Sequence, residues 1–174
     1  MIMFYLIRHG EPNYSELNTK VYRDFGAHMC PLTEKGCNQI KETAKDSRLQ
    51  KADLIISSPY GRALHTAAIL SKELGVDIVV ETDLHEWLAN KHYVYENSEI
   101  AVKNLKEFDD NNGCYPDGLE KDWETFEIMK NRATRVLEKY KDYDRVIVTC
   151  HGRIMQAITG MHHPSHGEIF EFHL

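Results

Sequence analysis

Met3-Phe4-Tyr5-Leu6-Ile7 is a short apolar run that ends abruptly in Arg8-His9-Gly10. A run of that length bounded by polar residues reads as a buried strand. The same arrangement recurs twice, where Ser57 leads into Ser58-Pro59-Tyr60-Gly61-Arg62 and where Thr149 leads into Cys150-His151-Gly152-Arg153. Working outward, β-branched apolar runs predict strands over 3–7, 53–57, 77–80 and 145–149, with a last strand over 168–172. Helical patterning falls between them: 34–45 behind Thr33, 61–74, 123–140, and 152–160 with Gly160 as its stop. In 123–140 the residues Trp123, Phe126, Met129, Ala133, Val136, Leu137 and Tyr140 recur at helical spacing, which marks a core-facing stripe. Alternating strands and helices predict an α/β domain with a largely parallel sheet. In such a sheet the three polar strand ends share one edge, where ligands bind and helix N-termini point their amides.

The chain has 174 residues, 42% hydrophobic and 28% charged, which suits one domain spanning 1–174 with a substantial core. Its formal charge of -6 argues against a nucleic-acid binder that uses a broad basic face, yet a small anion needs only a few converging cations. The first apolar run lacks a basic leader and a cleavage site, and no stretch has the length of a membrane span, so neither export nor membrane insertion is expected. Four cysteines, Cys30, Cys37, Cys114 and Cys150, show no CxxC spacing and fit reduced thiols in the cytoplasm. The texture of 87–121 is polar and aromatic, with turn sequences and one helical stretch over 99–109. It reads as an insertion: a lid over the site, or a surface excursion covering one sheet end.

Two histidines and two or three arginines at one sheet edge make an anion site, and phosphate is the natural ligand. The sequence contains no GxxxxGK[ST], GxGxxG or HExxH. A cysteine phosphatase of Cys-x5-Arg type is excluded, because the residues six beyond the cysteines are Gly36, Thr43, Glu120 and Gln156. Asp142-Tyr143-Asp144-Arg145-Val146 matches a bare DxDx[TV] pattern, but precedes a strand and reads as a solvated turn. Adjacent His162 and His163 point in different directions, so the run through His166 reads as an exposed loop and not a metal site. Glu107-Phe108-Asp109-Asp110 reads as a solvated face, and Arg153 suits a surface ion pair as readily as a ligand contact.

Leu6-Ile7-Arg8-His9-Gly10-Glu11 resembles the RHG signature of the histidine phosphatase superfamily, which includes the cofactor-dependent phosphoglycerate mutases. Four more segments match in order: Pro31-Leu32-Thr33-Glu34-Lys35-Gly36; Ser57-Ser58-Pro59 with Gly61-Arg62-Ala63 and Thr66-Ala67; Leu84-His85-Glu86; and Thr149-Cys150-His151-Gly152. The resemblance covers nearly the whole chain. It implies a three-layer α/β/α sandwich in which His9 is the nucleophile, Arg8, Arg62 and His151 bind the phosphoryl oxygens, and Glu86 exchanges protons with the leaving alcohol and water. The chemistry is self-consistent, since a neutral imidazole nitrogen attacks phosphorus if its other nitrogen is held as a donor. At the loop after Glu11 the sequence departs from the family, with Pro12 where Thr or Ser is usual and Ser15, flanked by Asn13 and Asn18, where a phosphate-contacting Asn often stands. Asn13 and Ser15 are the expected phosphate contacts there.

The function expected is an acid-type histidine phosphatase, a phosphoric monoester hydrolase acting on a small phosphomonoester without metal or cofactor. A mutase and a non-catalytic phosphate-binding domain are the rivals. Lys91, His92, Tyr93 and Tyr95 are expected to contact the leaving group.

Overall fold

A computed structural model describes residues 2–17 and 26–174. The chain forms a single α/β domain whose sheet has five strands: β1 (Met3–Arg8), β2 (Leu54–Ser57), β3 (Ile78–Val80), β4 (Arg145–Cys150) and β5 (Ile169–His173). The described helices are α1 (Gly26–Met29), α2 (Glu34–Thr43), α3 (Gly61–Leu74), α4 (Ser98–Asp110), α5 (Phe126–Glu138) and α6 (Gly152–Thr159). The sheet order is β3-β2-β4-β1-β5, with β5 antiparallel to β1 and the remaining pairs parallel.

Strand alternation divides the core between two faces. Phe4, Leu6, Ile56, Val146 and Val148 pack with α5 and α6, while Tyr5, Ile7, Ile55 and Ile147 pack with α2 and α3. Helices on both faces make the three-layer sandwich. Register aligns Ile7 with Thr149 and Thr149 with Ser57. The next residues along the three strands, Arg8, Cys150 and Ser58, therefore open onto one edge.

Helix limits follow caps more closely than periodicity. The Thr33 hydroxyl accepts from the Gly36 amide and starts α2, while Thr125 accepts from Ile128 and starts α5. Trp123 thus lies ahead of α5, although it is buried as its place in the stripe demands. In the 107–110 run the acids Asp109 and Asp110 are solvated as expected, but Phe108 is not: it is 2% exposed and packs against Trp87, Trp123 and Phe126. Asp109 pairs with Arg153, and Glu107 accepts from the Trp123 indole. Through Phe108, α4 is anchored on the main core.

Candidate active site

β1 delivers Arg8 and His9 to the shared edge, and the turn that follows is packed too tightly for any side chain at position 10. A Cβ on Gly10 would stand 2.6 Å from the Gly36 carbonyl oxygen, so the β1 exit and the first turn of α2 meet backbone to backbone. Thr33 strengthens that junction by donating to a Glu11 carboxylate oxygen at 2.9 Å. Pro12 costs nothing here: the flanking bonds of its bridge to Leu32 run from the Asn13 amide to the Pro31 carbonyl and from the Thr33 amide to the Glu11 carbonyl.

His9 is 4% exposed. Its Nδ1 lies 2.8 Å from the Gly10 carbonyl oxygen, an acceptor, so the ring proton sits on Nδ1 and the Nε2 lone pair is free of it. The Arg62 Nε donates to that lone pair at 3.2 Å. Burial first, and the adjacent Arg62 charge second, lower the His9 pKa to about 3. The ring is therefore neutral at every ordinary pH.

Arg62 enters from the first turn of α3, buried, with its Nη1 on the Ala27 carbonyl at 2.9 Å and its guanidinium 5.2 Å from the Tyr60 ring centroid. His151, at the N-terminus of α6, is fully buried, with its ring centroid 5.3 Å from that of His9. Ser58 Oγ accepts from the Tyr60 amide and lies 2.7 Å from His151 Nε2, to which it can give its proton. That places the imidazole proton on Nδ1, a buried atom with no protein partner. Burial and the charge of Arg62 hold His151 well below the usual histidine pKa, so the donor it offers an anion is a neutral N–H and not an imidazolium.

Arg8 is fixed from the far side of the edge. Its Nη1 donates to the Pro164 carbonyl at 2.5 Å, and its backbone bonds both Gly167 and Glu168, so the 161–168 loop folds back onto β1. The Arg8 Nε is buried and without a protein partner. This loop is not simply exposed surface, since Pro164 is buried and the His166 ring centroid lies 5.6 Å from that of His9. The His163 ring covers Gly152, where a Cβ would collide with it. Among the described residues no three His, Cys, Asp or Glu side chains are grouped to hold a metal ion.

Glu86 follows a short turn after β3, and its charge is felt by Arg8, Tyr60 and Cys150. Its Oε1 accepts from the Trp87 amide at 2.9 Å. The segment bearing it is clamped by Arg132 of α5, which donates to the carbonyls of Asp83, His85 and Glu86. Arg132 also pairs with buried Glu124 at 2.8 Å, and Glu124 in turn accepts from the Leu88 amide. Sequence periodicity gave no sign of this clamp, because both residues occupy positions that read as ordinary helix and helix-entry charges.

In the loop after Glu11, the two expected contacts bond each other. Asn13 Oδ1 accepts from the Ser15 amide in a local turn, and Ser15 is exposed. Tyr14 between them lies within electrostatic reach of Arg62, Glu86 and Arg8. Asn18 lies outside the described residues. Lys91 does not reach the leaving-group side: its Nζ donates to Glu120, Tyr115 and the Lys121 carbonyl, so it braces the insertion. Tyr60, Ser58 and His166 were given no role at the site by the sequence reading. The aromatic character of Tyr60 next to Arg62 was the available signal for the first.

Comparison with known proteins identifies the family and the fold. Residues 4–173 match the model of the histidine phosphatase superfamily, branch 1. A probable phosphoglycerate mutase GpmB of Escherichia coli is 28% identical over 165 residues, covering 87% of this chain and 70% of the relative. Among solved structures, YhfR of Bacillus stearothermophilus superposes with TM-score 0.66 at 24% identity, over 92% of this chain and 79% of that one. A mycobacterial glucosyl-3-phosphoglycerate phosphatase solved with VO3 superposes with TM-score 0.68 at 17% identity, over 98% and 90% of the two chains. At such identities the likeness to the solved structures is one of fold. The chain belongs to the histidine phosphatase superfamily, branch 1.

Proposed function

We propose that the protein is a phosphoric monoester hydrolase of the acid type that works through a phosphohistidine at His9, without metal or cofactor. The observation that carries this reading is the state of His9: Nδ1 held as a donor by the Gly10 carbonyl, Nε2 bare of protons and facing a guanidinium, and the ring neutral down to about pH 3. In the first step Nε2 bonds to phosphorus and the bond from phosphorus to the ester oxygen breaks. Glu86, protonated, gives its proton to the departing alkoxide. In the second step water attacks the phosphohistidine, Glu86 takes the water proton, and the electron pair of the N–P bond returns to Nε2. Arg62 exchanges its contact with Nε2 for the phosphoryl oxygens, joined by Arg8 Nε and His151 Nδ1, so the charge of the transferring group meets preorganised donors. Asn13 and Ser15 have no part in this reading. Tyr14 takes their place on that side.

Hydrolysis is preferred to the mutase activity that the name of the Escherichia coli relative suggests. A mutase must hold a second anionic arm of its primer, yet the wall beyond Tyr60 and Trp87 carries no lysine or arginine among the described residues. The residues 87–121 are proposed as the cover of the site, and the four free thiols fit a cytoplasmic setting. The test is phosphate release from a panel of phosphomonoesters in excess chelator, with wild type and His9→Ala side by side. Turnover that survives chelation and vanishes in the variant supports the reading. Isomerisation of 3-phosphoglycerate that depends on a bisphosphoglycerate primer, with little free phosphate, would replace it by the mutase.

A further inference from the structure

Beside the phosphate-binding edge lies a cavity of about 430 Å³ whose walls carry a different chemistry. Its near wall is Tyr60, whose ring centroid is 5.3 Å from that of His151 and 4.3 Å from that of His28. Its far wall comes from the 87–121 segment. Trp87, the residue after Glu86, is locked in place by its indole N–H on the Glu124 carbonyl at 2.8 Å. Tyr93, Val94 and Tyr95 also line it and are 67%, 61% and 57% exposed. Among the described residues the carboxylate on the wall is that of Glu96, which accepts from the Asn90 side chain at 2.8 Å. No described lysine or arginine reaches it, and Lys91, the nearest cation in sequence, is spent on Glu120 and Tyr115.

We infer that this cavity receives the leaving group, and that the substrate is a phosphate monoester of an uncharged alcohol bearing an aromatic ring or comparable apolar body. The inference rests on the hydrolase reading only for the position of the phosphoryl group, between His9 and His151. From there the ester oxygen faces Glu86, and whatever it bears continues past Tyr60 and Trp87 into the aromatic-lined cavity. A flat apolar group removes the tyrosine and tryptophan faces from water and stacks on them. A carboxylate or second phosphate would instead be desolvated against Glu96 with no described cation to meet it, which disfavours small sugar-acid phosphates. Tyr93 and Tyr95 are then the specificity-determining residues, and the expectation that Lys91 shares that role is replaced.

Binding of non-hydrolysable phosphonates separates this inference from the catalytic one. Calorimetry on wild type compares 1-naphthylmethylphosphonate, methylphosphonate and a carboxylated three-carbon phosphonate. The naphthyl compound is expected to bind at least about tenfold more tightly than either other, a difference that the burial of one ring readily supplies. In Tyr93→Ala/Tyr95→Ala that ratio falls toward one, and Val94→Lys shifts it in favour of the carboxylated compound. If methylphosphonate or the carboxylated compound binds as well as the naphthyl one in wild type, the inference is overturned, whether or not phosphomonoesters are hydrolysed. If the naphthyl preference holds but no phosphomonoester is turned over, the pocket stands and the hydrolase reading falls.

Discussion

His9 carries the chemistry through its tautomer, and that state is measurable. With the proton on Nδ1 and the pKa lowered to about 3, the ¹⁵N resonances of His9 should keep the neutral pattern from pH 8 down to about pH 4. A midpoint near the ordinary histidine value would contradict the account. Replacing His9 by Ala removes the attacking atom, and kcat should fall by at least about 10³-fold with the fold intact. The anion-binding edge was legible in the sequence because strand length and polarity jump at one boundary, which places Arg8, His9, Arg62 and His151 on one edge without coordinates, while the role of His9 came from the resemblance to the family. What was not legible at this scale was which side chains of the flanking loops turn inward. Asn13 and Ser15 close a turn on themselves, whereas Tyr14 between them lies within electrostatic reach of the arginines, a difference that residue type does not announce.

At the scale of elements, the turn that presents Glu86 has little helix or strand to hold it and depends on α5. The buried Arg132–Glu124 pair fastens three of its carbonyls and the Leu88 amide. Arg132→Met leaves the buried Glu124 carboxylate without its counter-charge, and a loss of about 3–5 kcal/mol in unfolding free energy is expected by denaturant titration. The pair Arg132→Met/Glu124→Leu should recover most of that stability. Its kcat should stay well below wild type, by about tenfold or more, because the carbonyl clamp on Glu86 is still missing. Recovery of kcat together with stability would show that the clamp positions nothing. Sequence periodicity found α5 and its apolar stripe but could not see that Trp123 and Glu124 precede the helix, since the Thr125 cap sets its start. It also took 107–110 as solvated because three acids surround Phe108, and only the approach of Trp87, Trp123 and Phe126 shows why an aromatic sits among them.

For the molecule as a whole, concentrating neutral histidines at one sheet edge has a cost that appears on acidification. In the folded chain His9 and His28 titrate at about 3 and about 4, and His151 lies well below its ordinary value. In the unfolded chain all three take up protons near pH 6.5. Unfolding therefore binds protons below that pH, so stability is fully present above pH 6.5 and is lost as the pH falls toward 4. Each of these histidines contributes a slope of about 1.4 kcal/mol per pH unit within its window. Thermal unfolding from pH 7 to pH 4.5 should show a steady drop in Tm that is shallower in His151→Gln. A flat profile would mean the histidines are charged when folded. The order β3-β2-β4-β1-β5 explains why the cost is concentrated: β1 and β2 both flank β4, which brings the three polar strand ends together. The α/β class and the parallel pairing were readable from alternation alone, but the strand order and the fold-back of the 161–168 loop onto Arg8 depend on contacts far apart in the chain.

The central claim, phosphoryl transfer through His9, is tested most directly by quenching the enzyme during turnover of an aryl phosphate in excess chelator and mapping the modified peptide by mass spectrometry. The account predicts a phosphoryl group on the peptide carrying His9, on the ring nitrogen Nε2, that decays as free phosphate appears and is absent in His9→Ala. Turnover without any such adduct, or an adduct on another residue, would contradict it.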